Sequence, residues 1–261
     1  MGIINLTPDS FSGDGLSGDP QAAVELAQRM EEDGADIIDV GAESTRPGGQ
    51  PISAAAEADR LLPALSAICE SVGVPVSVDT YKAPVARRAI DAGAALVNDV
   101  WGCLADGAMA PVIAAAGVPS ILMHNQSGTQ YDDLVADVIA GLDRIAGIAQ
   151  AAGIAHHNVI LDPGIGFGKT ADHNLELIRR LPEVRDLGYP MLLGVSRKST
   201  IGRILNLPAG ERLEGTAAAV AMSIAGGADI VRVHDVKEMV RVARMTDAIV
   251  RDWRPDGWPN R

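Results

Sequence analysis

A glycine-punctuated repeat is the feature that most constrains this chain. Five times an alanine-rich stretch of helical character ends at glycine, and a short, mostly apolar run follows. Gly34 precedes Ile37-Ile38-Asp39-Val40, Gly93 precedes Leu96-Val97-Asn98, and Gly117 precedes Ile121-Leu122-Met123. Gly153 precedes Val159-Ile160-Leu161, and Gly227 precedes Ile230-Val231-Arg232-Val233. Glycine just past a helix accepts the left-handed backbone that closes the last turn. Runs that are apolar on both faces belong to a parallel sheet covered on both sides.

Extended along the chain, the pattern predicts eight strands: Gly2–Asn5, Ile37–Val40, Val76–Asp79, Leu96–Asn98, Ser120–Met123, Val159–Leu161, Met191–Val195 and Ile230–Val233. Helical stretches lie between them, among them Ala22–Glu32, Ala54–Ser71, Leu134–Ala152 and Glu211–Ala225. Alternation without a polar linker predicts one α/β domain over residues 1–261. Eight units in 261 residues match the roughly 250 residues of a (β/α)8 TIM barrel. An open, doubly wound sheet is the alternative.

Composition removes whole classes of function. Thirty-four acidic against 22 basic residues give a net charge of −12, the wrong sign for a nucleic-acid surface. A local Arg/Lys cluster can still hold a small anion. No apolar run approaches the ~20 residues that a membrane helix needs. Two cysteines, Cys69 and Cys103, make neither a thiolate zinc site nor a disulfide framework. With no basic region opening the chain, a reducing, cytoplasmic setting is expected.

Polar residues collect at one end of the strands: Asn5, Asp39, Asp79, Asn98, His124, Asp162, Ser196 and His234. In a parallel barrel these ends converge on the face that carries the active site. Four segments add chemistry there. Asn5–Gly15 is a long polar loop rich in turn formers. Gly41–Gly49 presents Arg46 between small residues and a Pro-Gly-Gly stop, as a lid would. Asp162-Pro163-Gly164-Ile165-Gly166-Phe167-Gly168-Lys169 fails as a phosphate loop, because the required first glycine is Pro163. Its alternating glycines instead allow a flat ligand to approach the backbone. Gly194-Val195-Ser196-Arg197-Lys198-Ser199 offers cations at a helix start, an anion site, and Arg232-Val233-His234 adds a further cation and an imidazole. Both phenylalanines, Phe11 and Phe167, sit in these loops. Asp79, Asp162 and Asn98 have no cation beside them in sequence. They suit a flat heterocycle with N–H donors along its edge, or they pair with Lys and Arg from neighbouring loops. The pair His156-His157 precedes a strand, on the opposite face, and is expected at the surface.

Taken together, Asn5–Ser12, Gly41–Gly48, Ser77–Thr80, Asn98–Val100, Asp162–Lys169, Ser196–Ser199 and Arg232–Val236 resemble, in order and over essentially the whole chain, the dihydropteroate synthases of the pterin-binding barrel family. That resemblance implies condensation of 6-hydroxymethyl-7,8-dihydropterin diphosphate with 4-aminobenzoate to 7,8-dihydropteroate and diphosphate. It carries pterin contacts onto Asp79, Asn98, Asp162 and Lys198, and diphosphate contacts onto Asn5, Arg232 and His234. It carries the aminobenzoate pocket onto Thr45, Arg46, Pro47, Phe167 and Ser199. The residues it makes catalytic are Asn5, Lys198, Arg232 and His234, and the magnesium ligand is Asn5. It also implies a homodimer through late helices. The residues of 9–15 and 45–49 themselves lead us to expect loops that order when ligand binds. The sequence departs from the family at His124-Asn125-Gln126-Ser127-Gly128, which lacks the usual Met and basic residue, and its first strand begins at once after Met1. A methyltetrahydrofolate-dependent methyltransferase of the same superfamily would share Asp79, Asn98 and Asp162, but has no need of the 196–199 segment. A non-catalytic pterin-binding paralogue is the second alternative.

Overall fold

A computed structural model describes residues 1–7, 19–44 and 51–258. Thr45, Arg46 and Pro47, Phe11 and both expected lid segments lie outside them. Eight strands occur among the described residues: β1 (Gly2–Asn5), β2 (Ile38–Gly41), β3 (Val76–Asp79), β4 (Leu96–Asp99), β5 (Ser120–Met123), β6 (Val159–Asp162), β7 (Leu192–Leu193) and β8 (Ile230–Val231). Between them run α1 (Pro20–Glu32), α2 (Ala54–Ser71), α3 (Ala83–Asp91), α4 (Met109–Ala116), α5 (Leu134–Ala151), α6 (Ala171–Arg179), α7 (Leu181–Arg185), α8 (Ser199–Leu205) and α9 (Leu213–Ala225). The last helix, α10 (Val236–Val250), follows β8.

Strands β1 to β6 form one parallel sheet in sequence order, and β7 pairs with β8. Parallel bridges Leu161–Met191 and Gly2–Val233 join the two sheets, so the ring closes as a (β/α)8 barrel. The open-sheet alternative is thereby removed. The two last strands are shorter than the expected Met191–Val195 and Ile230–Val233. Beyond Leu193 the chain leaves the ladder at Gly194, and Arg232 directs its side chain across the ring to Asp39 and Asp79.

Local chemistry sets the helix ends. The Asp19 carboxylate accepts from the Gln21 and Ala22 amides at the start of α1, with Pro20 in the first turn. Thr170 and His173 close a reciprocal capping box on α6. The five repeat glycines all take positive φ, from 68° at Gly117 to 108° at Gly93.

Strand alternation divides the ring into two faces. Ile38, Val40, Val76, Val78, Val97, Leu122, Leu161 and Leu193 pack in the large cluster shared with the helices. Their neighbours point the other way, into the barrel. On β5, β6 and β7 these are Ile121, Ile160 and Leu192, which form a separate apolar cluster with Met1. On β2, β3, β4 and β8 the same alternation turns Asp39, Ser77, Asp79, Asn98 and Arg232 inward.

Candidate active site

A cavity of about 670 Å³ opens at the C-terminal ends of the strands. Asn5, Asp79, Asn98, Asp162, Phe167, Lys198, Ser199, Arg232 and His234 all line it. Nine residues from six separate segments, chosen on sequence, thus share one cavity. The apolar side of the ring is filled below it, and the polar side carries the charge.

At the centre of the polar side sits Arg232. Its Nε donates to Asp39 Oδ2 at 2.5 Å and its Nη2 donates to Asp79 Oδ2 at 2.7 Å. Asn98 Nδ2 donates to the same Asp39 oxygen at 3.0 Å. One guanidinium therefore serves two carboxylates that water barely reaches. Burial pushes the Asp79 carboxyl up to about 7; Arg232 pulls it back, and Asp39 pushes it further up. Burial works against the Arg232 charge, yet Asp39 and Asp79 outweigh it and hold its proton more tightly than usual. Of the two readings of Asp79, the ion pair is met by Arg232, while its Oδ1 is buried with no hydrogen-bond partner among the described residues. Asp39 was recognisable as one of the polar strand-end residues; nothing nearby in sequence announces its partner Arg232, 193 residues away.

Across the cavity, Asp162 closes β6. Its Oδ1 accepts the Gly164 amide at 2.7 Å. Burial raises its carboxyl to about 6, against the pull of the Gly164 amide, Lys198 and Lys169. Lys198 lies with its ammonium 4.4 Å from the Phe167 ring centre, a cation–π contact. Glycine is favoured at 166, because its φ is +82° and a Cβ there would stand 3.1 Å from Lys198 Cδ, so that the lysine would have to shift.

In the 196–199 segment, read in sequence as an anion site, one of the two cations is engaged within the fold. Arg197 pairs with Asp235 through two of its nitrogens, Nε at 3.0 Å and Nη2 at 2.5 Å. That bidentate clasp ties the β7 exit to the β8 exit and matches the Arg197 charge locally. It also steadies a non-glycine residue at a φ of +54°. Arg212, which sequence reading did not single out, donates to the carbonyls of Arg197 at 2.9 Å and Leu207 at 3.0 Å. Ser196 Oγ and His234 Nδ1 are 2.9 Å apart. His156 and His157 are exposed as expected, with His156 stacked on Tyr189.

Magnesium fits this donor set only in a limited way. Among the described residues there is no cluster of three His, Cys, Asp or Glu side chains able to hold a metal. Asn5, half-buried in the cavity wall, supplies a single neutral oxygen. Such a site suits an octahedral ion whose other ligands are phosphate oxygens and water.

Comparison with known proteins gives the same answer at three levels. The family described as pterin binding enzyme matches residues 1–234. The dihydropteroate synthase of Clostridium beijerinckii is 53% identical over 252 residues, covering 96% of this chain and 94% of the relative. That of Bacillus subtilis is 50% identical over 250 residues, covering 96% and 88%. Among solved structures, the Clostridium difficile dihydropteroate synthase determined in the presence of pteroic acid superposes with a TM-score of 0.92 at 46% identity, covering 96% of both chains. The Xanthomonas albilineans enzyme with 4-aminobenzoic acid gives 0.90 at 38% identity, covering 98% and 93%.

Proposed function

The chain belongs to the pterin-binding enzymes and acts as a dihydropteroate synthase, and from that premise we propose how its residues share the work. Asp79, Asn98, Asp162 and Lys198 read the pterin ring. The observation that carries this is the buried, unpartnered Asp79 Oδ1 in the wall of the cavity, with a second raised carboxyl, Asp162, on the same cavity. A buried acceptor without a donor costs about 1–3 kcal/mol, and a heterocycle with a row of N–H groups removes that cost at Asp79 while also donating to Asp162.

Diphosphate is held by Asn5, Arg232 and His234. Its departure from the pterin methylene builds negative charge on the leaving oxygens, and preorganised cations lower that barrier most. Arg232 and Lys198 are the cations on the cavity wall suited to this. Magnesium, when bound with diphosphate beside Asn5, would supply further neutralisation of the leaving group. It is expected to bind weakly to the protein alone; tight calorimetric binding without diphosphate would contradict this. Phe167 and Ser199, with Thr45, Arg46 and Pro47, form the aminobenzoate pocket. The aryl amine is a weak nucleophile, so alignment is the main service here, and no protein nucleophile is required.

A homodimer through α9 and α10 accounts for the exposed Met222, Met245, Ile249 and Trp253 on those helices and just after them. Light scattering of wild type against Ile249→Asp tests it. Among the described residues no helix is long and apolar enough to cross a membrane, and the two free thiols, Cys69 and Cys103, suit the reducing cytoplasm. The direct assay supplies pterin diphosphate, 4-aminobenzoate and magnesium and follows dihydropteroate. Formation of the product only when all three are present is the expected result. Saturable pterin binding with no product would instead identify the non-catalytic paralogue.

A further inference from the structure

The residues assigned above leave one buried cation without a task. Lys169 ends the glycine-rich loop after β6 and is 9% exposed. Its ammonium touches no carboxylate in hydrogen-bonding range among the described residues. Instead Nζ donates to the Phe167 carbonyl at 3.0 Å and lies 3.2 Å from His124 Nδ1. Burial lowers the Lys169 ammonium to about 7 and the His124 imidazole to about 4, the latter helped by the lysine charge. In the Nε2–H tautomer of the neutral imidazole Nδ1 is an acceptor, and with the proton so placed His124 and the Phe167 carbonyl are the two acceptors of one lysine.

The site for this lysine is made to measure. A Cβ at Gly164 would fall 2.0 Å from the His124 carbonyl oxygen and 3.2 Å from Lys169 Nζ. A Cβ at Gly141, on α5, would fall 2.5 Å from the His124 ring. Glycine at both positions lets the imidazole and the loop close around the ammonium. Tyr131 works beside it. Its hydroxyl donates to the Gly168 carbonyl at 2.9 Å, and its ring lies 6.0 Å from Lys169 Nζ. Successive loop carbonyls, those of Phe167 and Gly168, are thus each held from beneath by a side chain that does not line the cavity.

We propose that Lys169 and Tyr131 are positioning residues that fix the backbone from Phe167 to Gly168 and thereby set affinity for the aromatic amine substrate, separately from affinity for the pterin. The inference rests on the reading that Phe167 lines the aminobenzoate pocket. It goes beyond that reading by naming what holds Phe167 in place.

Three variants separate the possibilities: Lys169→Met, Tyr131→Phe and, as the control for the underlying reading, Phe167→Ala. The readouts are the KM for 4-aminobenzoate and the calorimetric Kd of a simple pterin without diphosphate. Lys169→Met should raise the KM about tenfold, the factor that ~1.4 kcal/mol of lost affinity produces, with pterin Kd within about twofold. Tyr131→Phe, which removes only a hydroxyl, should move the same constant in the same direction by about threefold, roughly 0.7 kcal/mol. If Phe167→Ala raises the KM while Lys169→Met and Tyr131→Phe do not, the inference fails and the pocket assignment stands. If Phe167→Ala leaves the KM unchanged, the pocket assignment itself fails. A parallel rise of KM and pterin Kd in Lys169→Met overturns the inference, since the lysine then supports the whole site. Should Lys169→Met not fold, Tyr131→Phe decides alone.

Discussion

The two sides of the cavity are held together by different physics. On the strand-borne side, Asp39, Asp79, Asn98 and Arg232 are bonded to one another, side chain to side chain, inside the ring. On the loop-borne side, Lys169, Tyr131 and Arg212 reach backbone carbonyls of the segments that carry Phe167 and Lys198. The first arrangement fixes charges to within one another's fields and makes each acid depend on a shared cation. The second fixes the shape of the chain and makes little demand on charge. Removing a charge should therefore damage the strand side, and adding bulk should damage the loop side.

The largest effect is expected from Arg232→Met. It leaves Asp39 and Asp79 buried without a cation, and breaking such a pair from one side costs about 3–5 kcal/mol. Denaturant unfolding should show that loss, and simple-pterin affinity should fall with it. Assigned from sequence to diphosphate alone, Arg232 would leave simple-pterin binding unaffected; its bond to Asp79 ties it to the ring site as well. A stable variant with unchanged pterin binding would separate Arg232 from the strand cluster.

Gly164→Ala comes next and addresses the loop side. It places a methyl 2.0 Å from the His124 carbonyl at a φ of +76°, and both the clash and the backbone strain destabilise, together by about 3 kcal/mol. Aminobenzoate affinity should fall further than pterin affinity. Equal loss of both would show that the two sides are not separable.

The smallest effect is a pH dependence. The His124 pKa in the fold is about 4, against 6.5 without burial. The unfolded chain takes up that proton first as pH falls below 6.5, so the contribution of His124 to stability is lost between pH 6.5 and 4, with nothing further lost below that, whereas the raised carboxyls of Asp79 and Asp162 act with the opposite sign. By pH 5 the loss is about 2 kcal/mol. His124→Gln should remove that contribution, so that between pH 6.5 and 5 the variant gains about 2 kcal/mol relative to wild type. An unchanged slope would mean that His124 is not buried against Lys169 in solution.

The strand side was legible in sequence to the extent that it obeys alternation. Asp79, Asn98 and Asp162 sit where an apolar run ends, and an isolated polar side chain there stands out. Strand ends β1, β3 and β5 fall at the predicted residues, because covered parallel strands are nearly continuous apolar runs. What alternation could not show was partnership: Arg232 meets Asp39 across 193 residues. On the loop side, glycine spacing marked the 164–168 segment without indicating what it wraps around. Lys169 read as the end of a motif. Its acceptors, a backbone carbonyl and an imidazole 45 residues away, leave no pattern in composition. For Arg197 the sequence showed a cation at a helix start but not its ion pair with Asp235, 38 residues away.

The central claim is that the strand-end groups Asp79, Asn98 and Asp162 read the pterin ring, joined by Lys198 from the loop side, and that Phe167 and Ser199 do not. It is tested most directly by calorimetric binding of a simple pterin, lacking diphosphate, to Asp162→Asn and Ser199→Ala. Asp162→Asn turns one carboxylate acceptor into an amide that must partly donate, and should weaken binding by at least about tenfold, in line with the ~1.5–3 kcal/mol of a hydrogen bond to a charged group. Ser199→Ala should leave it within about twofold, a difference of ~0.4 kcal/mol. Equal weakening in the two variants, or a larger loss from Ser199→Ala, would contradict the account.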